Sequence, residues 1–356
     1  MQRSIWFVLE VQAERHSMEE QLVALAERLG LEDVAVTAVF ASPPGAHLRE
    51  TLEKLGVDVR TLQFRSARAA IILSLWFHEY RPDIVHFHFV DRYPGFVAAA
   101  KLSGASTLVD DTGFRRPSRT LRALVRRARG LVLDWLVDTR VACDAVSLAR
   151  FAGGDGEAVR KELGVGPSPL VVSAGRLDEV EGGETLLRAM ALLEPDVHLA
   201  LAGEGHGELA WRTLAGELGI AGRVHFLGLR NDVEDILAAA SVVVVPAESE
   251  EALGLAAIEG MAASRPVIVT RAGGMPAIVG DAGIVVPEQD PASLGLAIRT
   301  VLSDPEHGSR LGKLGRKRVE ELYSMDAHVE RLMKTYRRIF LRAEPRTAPS
   351  KILELL

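Results

Sequence analysis

The stretch VVVVPAESEEALGLAAIEGMAASRPVIVT, residues 242–270, decides the fold. Val242–Val245 and Val267–Thr270 are short β-branched runs, and Leu255–Ala263 between them has the composition of a helix. Two continuous apolar strands separated by a helix are typical of a parallel sheet that is buried on both faces. The stretch therefore predicts one strand–helix–strand unit of an α/β domain.

The same alternation extends through the rest of the chain. In the second half we predict three further strands and three helices, namely Leu170–Ala174, Val197–Ala202, Val224–Leu227, Glu184–Leu193, Glu208–Leu218 and Val233–Ala239. In the first half we predict strands at Ile5–Val11, Val34–Phe40, Val57–Leu62, Asp83–Phe89 and Thr107–Asp110, and helices at Met18–Leu29, Ala69–Tyr80 and Tyr93–Leu102. Open parallel sheets bind ligands at the carboxyl ends of their strands, so we expect a ligand site in a cleft between two such domains.

The length of 356 residues corresponds to about two domains at roughly 150 residues each. Gly164, Gly166 and Pro167 have the composition of a short linker. We therefore predict an N-terminal domain over residues 1–165 and a C-terminal domain over residues 166–325. The first is close to neutral in charge, whereas the second carries the acidic excess.

Composition excludes several classes of protein. A net charge of -6 gives no general footprint for nucleic acid, and the single cysteine, Cys143, cannot form an internal disulfide. No apolar run approaches the ~18 residues that would span a bilayer. The run Ile5–Leu9 is too short for the core of a signal peptide. We expect a soluble cytoplasmic protein.

Two acidic residues flank the loop after the Val242–Val245 strand. Glu251 lies in the loop, and Glu259 lies about one turn inside the following helix. The glycine at Gly254 lets the backbone approach a ligand closely, and the helix start presents free N–H groups suited to a diphosphate. A carboxylate at Glu259 can accept hydrogen bonds from ribose hydroxyls, although two acids eight residues apart also occur on solvated helix faces.

The other strand ends of the second half carry similar turn residues, including Gly175-Arg176-Leu177 and Gly203-Glu204-Gly205. In this order, the motifs resemble glycosyltransferase family 4, retaining sugar transferases of the two-domain GT-B fold. The resemblance runs from Gly175 to about Phe340. It is weaker before Gly175, where it rests on residues 13–16, 83–86 and 146–151. It implies two Rossmann-like parallel-sheet domains that face each other across a cleft, with a closing helix over about 326–345 packed on the first domain.

The resemblance also implies roles for individual residues. Glu251 and Glu259 match the E-x7-E pair, in which Glu251 would contact the transferred sugar and Glu259 the ribose. Arg176 would neutralise charge on the leaving diphosphate, and Asp110 stands at a catalytic position of the first domain. Further donor contacts are implied for Leu253, Gly254, Leu255, Gly205, His206, Leu229, Arg230 and Glu181. The donor would be a UDP- or GDP-linked sugar and the acceptor a glycan, a lipid or a small molecule, as in polysaccharide biosynthesis, with no metal and no cofactor.

The sequence departs from the family pattern at several of these positions. Glu181 replaces a lysine beside the diphosphate, Gln12 and Ala13 replace a glycine pair, and Asp110 replaces a histidine. A unit charge at about 5 Å contributes roughly 3 kcal/mol at an effective dielectric of ~20. Glu181 should therefore weaken donor binding unless it turns outward or is paired. A helix and a strand that the family has near Cys143 are missing, so the closing strand of the first domain is either absent or replaced.

Three alternatives to an active transferase remain open or are rejected. A nucleotide-sugar-binding protein without efficient transfer would explain the departures, and a sugar-nucleotide epimerase has the same fold. A dehydrogenase is rejected because the first strand is not followed by G-x-G-x-x-G.

The arginine-rich segment Arg115–Arg129 has two interpretations, a solvated helix face or a contact with a phosphorylated lipid acceptor or the inner membrane face. His86 and His88 alternate on a strand and could face a cleft or the core.

Overall fold

The computed structural model describes residues 2–9, 16–66, 68–88, 94–111, 136–142, 145–178, 181–249 and 254–342. It divides the chain into two compact units. The first unit contains Met1–Cys143 together with His328–Leu356, and the second contains Asp144–Ala327. Each unit is built around one parallel sheet, which confirms the predicted pair of α/β domains.

The sheet of the first unit has the strand order β3-β2-β1-β4-β5-β6, and every neighbouring pair is parallel. This is the order of a doubly wound Rossmann sheet. Strands are added toward one edge up to the third strand and toward the other edge from the fourth, so the order reverses between the first and fourth strands. Its central strands are nearly continuous buried runs, as expected where helices cover both faces. The strands are β1 (Ser4–Leu9), β2 (Ala35–Phe40), β3 (Asp58–Thr61), β4 (Ile84–His88), β5 (Ser106–Asp111) and β6 (Thr139–Ala142).

The helices that accompany this sheet place their apolar residues against it. Helix α3 buries Leu73 and Phe77, and it ends at Tyr80 because Arg81 adopts a left-handed conformation before Pro82. Helix α13 buries His328 and Tyr336 against the first unit although it is the last helix of the described chain. The helices are α1 (His16–Leu31), α2 (Ala46–Lys54), α3 (Ala69–Tyr80), α4 (Pro94–Leu102) and α13 (Met325–Arg342).

The sheet of the second unit repeats the same topology, with the order β12-β11-β10-β7-β8-β9 and parallel pairing throughout. Counted from β7, this is again the order 3-2-1-4-5-6, with the reversal between β7 and β10. The strands are β7 (Leu170–Ala174), β8 (His198–Ala202), β9 (Val224–Gly228), β10 (Val242–Val245), β11 (Val267–Thr270) and β12 (Ile284–Val286).

Helices cover both faces of this second sheet as well. They are α5 (Gly156–Leu163), α6 (Gly183–Met190), α7 (Glu208–Glu217), α8 (Val233–Ala239), α9 (Leu255–Ala262), α10 (Met275–Val279), α11 (Pro291–Ser303) and α12 (Pro305–Leu322). The core on one face contains Ile236, Ile258 and Met261, and the core on the other contains Leu186, Trp211 and Ile298.

The division between the units differs from the predicted boundary at residue 165. Val146, Phe151 and Val159 belong to the core of the second unit, so the chain enters that unit about twenty residues earlier. Gly164 has a φ of 66° and caps the end of α5, where its N–H donates to the Arg160 and Lys161 carbonyl groups. The glycine signal therefore marks a helix end inside the second unit.

Strand β6 forms one edge of the first sheet, and within the described residues no strand follows it on that edge. Cys143, near which the resemblance predicts a missing helix and strand, lies outside the described residues, as does the segment Arg115–Arg129. Among the helices of the described residues, none combines the length and apolar character required to cross a bilayer.

Two leucines of α3 provide a test of how this helix packs. Leu73 is fully buried and Leu75 is 63% exposed, although both lie on the same helix. We expect Leu73→Ala to lower the free energy of unfolding by about 2–5 kcal/mol, because it leaves a cavity in the core. Leu75→Ala should change it by less than about 0.5 kcal/mol. Denaturant titration of both variants measures this, and equal losses would contradict the described orientation of α3.

Candidate functional site

The candidate site lies at the carboxyl ends of β7 and β10, the two neighbouring strands between which the strand order of the second sheet reverses. Gly175 and Arg176 follow β7, and Pro246 follows β10. Together with Glu181, these residues line one small cavity. Loops diverge at such a reversal and leave a crevice, which is where open α/β sheets bind ligands. The predicted residues at these two strand ends are therefore brought together.

The loop after β7 is held by backbone contacts with the loop after β8. The Gly175 N–H donates to the Ala202 carbonyl at 2.9 Å, and the Leu177 N–H donates to the Glu204 carbonyl at 3.0 Å. Gly203 has a φ of 143°, and a Cβ at this position would lie 1.8 Å from the Gly175 carbonyl oxygen. Only glycine allows this approach, so Gly203 fixes the path of the backbone that carries Arg176.

The start of α9 supplies backbone donors at the end of β10. Gly254 precedes the helix with a φ of 71°, a left-handed conformation that favours glycine. Leu255 begins the helix and is 41% exposed, so the first turn is accessible. Free N–H groups and the positive end of the helix dipole make such a terminus suitable for an anion. Glu251 and Leu253, which precede this turn, lie outside the described residues.

Arg176 is already paired with two carboxylates. Its guanidinium lies 3.0 Å from Glu181 Oε1 and 3.3 Å from Asp178 Oδ2. Glu181 therefore faces the arginine that the resemblance assigns to the diphosphate, and it does not turn outward. Because the Arg176 side chain is 60% exposed, the ion pairs are screened by water and can yield to a ligand.

Glu259 lies on α9 with its side chain partly buried. Burial raises its pKa to about 7, attraction from Arg150 opposes this rise, and repulsion from Glu234 adds to it. Arg150 is held by Glu234, whose Oε2 accepts from the Arg150 Nε at 2.9 Å. Glu259 is therefore divided between its neutral and ionised forms near neutral pH.

Leu229 and Arg230 follow β9, where the resemblance implies backbone contacts with the base. Leu229 is 62% exposed. The Arg230 guanidinium forms two hydrogen bonds with Glu162, at 2.7 and 3.0 Å, and two more with Asp232. These carboxylates raise the pKa of Arg230 above its ordinary value, and they leave only its backbone for a ligand.

The loop after β8 contains Gly205 and His206. Gly205 lies against the backbone of Leu177, and the exposed His206 is held by its own N–H, which donates to Asp178 Oδ1 at 3.2 Å. Asp178 thus connects this loop with Arg176. Sequence reasoning missed Asp178, although its place two residues after Arg176 at a strand end could have indicated it.

Asp110 lies in the first unit and is 1% exposed, and its catalytic role stays a prediction. Its Oδ1 accepts from or contacts His86 Nε2 at 2.8 Å, and its Oδ2 contacts His88 Nδ1. Burial would raise the pKa of Asp110, but His88 and His86 outweigh burial and hold it below its usual value. Both histidines face the core of their unit. Gln12 and Ala13 lie outside the described residues.

Comparison with known proteins places this site in context. Residues 155–318 match the family model described as glycosyl transferases group 1. A D-inositol 3-phosphate glycosyltransferase from Geodermatophilus obscurus is 30% identical over 373 residues, which cover 88% of this chain and 81% of the relative. The corresponding protein from Mycolicibacterium gilvum is 39% identical over 171 residues, or 45% of this chain. In that match the chain spans only 38% of the length of the relative.

The fold is also similar to solved structures. Anabaena Alr3699/HepE, crystallised in complex with UDP, superposes with a TM-score of 0.74 at 16% identity. The match covers 94% of this chain and 100% of the HepE chain. At this level of identity the likeness concerns the fold.

The raised pKa of Glu259 predicts how stability depends on pH. The folded protein binds a proton at Glu259 up to about pH 7, whereas an unfolded glutamate releases it near its ordinary value of 4.5. The free energy of unfolding should therefore fall as pH rises through this window. Glu259→Gln should remove this decline and be more stable than wild type by roughly 1–3 kcal/mol at about pH 8. Urea unfolding at several pH values measures it.

The matched control is Glu321→Gln, at a side chain that is 62% exposed. This control should keep the wild-type pH profile. A Glu259→Gln profile parallel to that of wild type would contradict burial of the carboxyl group.

Proposed function

The chain is a member of the group 1 glycosyl transferases, with two parallel-sheet domains of the GT-B fold, and from this premise we propose the reaction that it performs. The proposed reaction moves a hexose from a nucleotide-diphosphate sugar to an acceptor hydroxyl. It retains the anomeric configuration and uses no metal ion at the reacting bond. The donor is UDP- or GDP-linked.

One observation carries this proposal. Two exposed groups lie at the carboxyl ends of the neighbouring strands β10 and β7. They are the first turn of α9, after Gly254, and the guanidinium of Arg176. Both can donate to an anion, Arg176 after exchanging its contacts with Glu181 and Asp178, and two such donors suit a diphosphate. A diphosphate that is attached to a sugar is the leaving group of the proposed transfer.

The same groups explain how transfer would be accelerated. When the bond between the anomeric carbon and the diphosphate oxygen breaks, its electron pair stays on that oxygen. The N–H groups of Gly254 and Leu255, together with Arg176, would stabilise this developing charge. The acceptor hydroxyl then attacks the same face of the sugar, and its proton passes to the departing phosphate. The products are a nucleoside diphosphate and a glycoside with unchanged configuration.

Glu259 and Glu251 have separate roles in this proposal. Glu259 lies one turn inside α9 and would accept hydrogen bonds from ribose hydroxyls. Because its pKa lies near 7, hydrogen bonds donated by the ribose hydroxyls would favour its ionised form. Glu251 would contact the hydroxyls of the transferred sugar. UDP is the first donor nucleotide to test, because HepE was crystallised with it.

The proposed acceptor is a glycan, a lipid-linked sugar or a small molecule, and its hydroxyl group is the nucleophile. Two of the relatives are named for D-inositol 3-phosphate, which makes a phosphorylated polyol the first acceptor to test. The basic segment Arg115–Arg129, which lies outside the described residues, is the proposed contact for an anionic acceptor or membrane surface. The single cysteine supports a cytoplasmic location.

A second candidate function is favoured by the ion pairs of Arg176. With Glu181 and Asp178 both in contact with the guanidinium, the group that should meet the diphosphate is already neutralised. Such a protein would bind a nucleotide-sugar without efficient transfer. The two functions differ in products, since only a transferase consumes the donor when an acceptor is present.

The two functions are separated by one experiment. Calorimetric titration with UDP- and GDP-sugars identifies the donor, and product analysis by NMR of the same mixtures, with D-inositol 3-phosphate and sugar acceptors, identifies the chemistry. We expect a glycoside with the anomeric configuration of the donor, formed equally well with and without a chelator. Binding without consumption would favour the binding protein, a changed free nucleotide-sugar would indicate an epimerase, and absence of nucleotide binding would contradict both main proposals.

The contact between Glu181 and Arg176 predicts the effect of reversing one charge. Glu181→Lys frees Arg176 and adds a second cation, so nucleotide-sugar affinity should rise about tenfold, a fraction of the unscreened Coulomb energy because both side chains are partly exposed. The matched control is Glu184→Lys, which makes the same charge change on α6, where Glu184 pairs with Arg188. Calorimetry should show little change for this control. Equal affinities for the two variants would show that Glu181 does not oppose the diphosphate.

A further inference from the structure

A buried cluster of metal-ligating side chains lies in the first unit, outside the proposed donor site. His86 and His88 stand two residues apart on β4, and Asp110 stands on the neighbouring β5. The exposed fractions are 0% for His86, 2% for His88 and 1% for Asp110. One nitrogen or oxygen from each of the three lies within 4.8 Å of the others. Three metal-ligating groups thus converge in the interior of the unit.

Three polar atoms of this cluster have no hydrogen-bond partner. They are Nδ1 and Nε2 of His88 and Oδ2 of Asp110. Each buried polar atom without a partner costs free energy, and native proteins contain few of them. Within the described residues the only other such side-chain atom is Arg265 Nε, in the second unit, so the unpaired atoms are concentrated in this cluster.

The contact between His88 and Asp110 explains what these atoms lack. His88 Nδ1 lies directly against Asp110 Oδ2, and neither atom has another hydrogen-bond partner. An imidazole nitrogen and a carboxylate oxygen at such short range share a positive centre, which is either a proton or a metal ion. A metal ion held by both atoms gives each atom the partner that it lacks.

We propose that His86, His88 and Asp110 form a binding site for one transition-metal dication, for which Zn²⁺ is the probe. Two imidazoles and one carboxylate make a nitrogen-rich set of borderline softness, which suits Zn²⁺ and Co²⁺ and disfavours Mg²⁺ and Ca²⁺. The three ligands leave one tetrahedral position for a water molecule. The metal bonds would join β4 to β5, so the ion is structural and takes no part in sugar transfer.

The surroundings of His86 support its assignment as a ligand. Its Nδ1 lies 2.7 Å from the Tyr336 hydroxyl on α13, and its Nε2 lies 2.8 Å from Asp110 Oδ1. In the absence of a metal, Nε2–H donates to the Asp110 carboxylate; with a metal bound, Nδ1–H would donate to Tyr336 and the Nε2 lone pair would face the ion. Ligand histidines generally use their second nitrogen in this way, because the bond fixes both the tautomer and the ring orientation.

Packing holds both imidazole rings in place. Phe7 of β1 lies 5.7 Å from the His86 ring and 5.8 Å from the His88 ring, and the two imidazoles are 4.1 Å apart, centre to centre. His328 on α13 is excluded as a ligand because its Nε2 lies 2.8 Å from Gln21 Nε2. Tetrahedral Zn–N and Zn–O bonds of roughly 2.0–2.2 Å require that the ligand atoms move apart by up to about 1 Å.

The test is direct metal binding by the full untagged chain after treatment with a chelator. Calorimetric titration with Zn²⁺ should give one site per chain, and Co²⁺ should give the visible absorption of a tetrahedral nitrogen–oxygen site. His88→Ala and the isosteric Asp110→Asn should each weaken Zn²⁺ binding by more than about 100-fold. Tyr336→Phe, which removes a positioning hydroxyl, should weaken binding by about tenfold and leave the stoichiometry unchanged.

The matched control uses another histidine pair. His198 Nδ1 lies 3.1 Å from His225 Nε2 in the second unit, so His225→Ala disrupts a close pair without touching the proposed site. This variant should keep wild-type Zn²⁺ affinity. Zn²⁺ should raise the thermal unfolding midpoint of wild type and of His225→Ala, but not that of Asp110→Asn. Circular dichroism of Asp110→Asn without metal checks independently that this variant is folded. No Zn²⁺ binding by wild type, or unchanged binding by Asp110→Asn, would overturn the proposal.

Discussion

The candidate site depends on a contact between two backbones. Gly203 brings the loop after β8 so close to Gly175 that a single methyl group would collide with the carbonyl oxygen. The hydrogen bonds that follow, from Gly175 to Ala202 and from Leu177 to Glu204, extend the sheet beyond its regular strands. They determine where Arg176 leaves the sheet. The charged contacts of the site are centred on Arg176. The close backbone approach that Gly203 permits therefore determines where the charged group of the neighbouring loop lies.

The sequence predicted the fold well where burial alone determines structure. Strands β7, β10 and β11 and helices α3 and α8 have the predicted bounds, because continuous β-branched runs and Pro82 are strong local signals. Helix α2, at Ala46–Lys54, was missed because only Leu48 and Leu52 are buried, which is too few for a periodic pattern. The domain boundary was misplaced for a different reason. From the sequence alone, a glycine that caps a helix cannot be distinguished from a glycine in a linker. The packing of Val159 in the core of the second unit shows that Gly164 is a helix cap.

The candidate site could be predicted in its parts but not in its pairings. Arg176, Gly254 and Glu259 were indicated by position along the chain. The partners of the charged groups depend on how separate loops fold back on one another. Asp178 reaches both Arg176 and the backbone of His206, and Glu162 holds Arg230 across 68 residues of sequence. No local pattern contains such contacts, so the sequence left open whether Glu181 opposes the diphosphate or turns away. The contact with Arg176 shows that Glu181 is paired and does not turn away, while its effect on donor binding stays a prediction.

Two buried carboxyl groups show how neighbours determine charge in this fold. Glu259 is partly buried on α9, and burial raises its pKa to about 7 against the attraction of Arg150. Asp110 is buried more completely, yet its pKa is held low because two imidazoles flank it. The difference has a functional consequence. A carboxyl group that is half neutral gains most from a ligand that donates hydrogen bonds, such as a ribose, whereas a carboxylate with imidazole nitrogens beside it gains most from a shared cation. Two carboxyl groups, one on a helix of the second unit and one on a strand of the first, are thereby suited to two unrelated ligands.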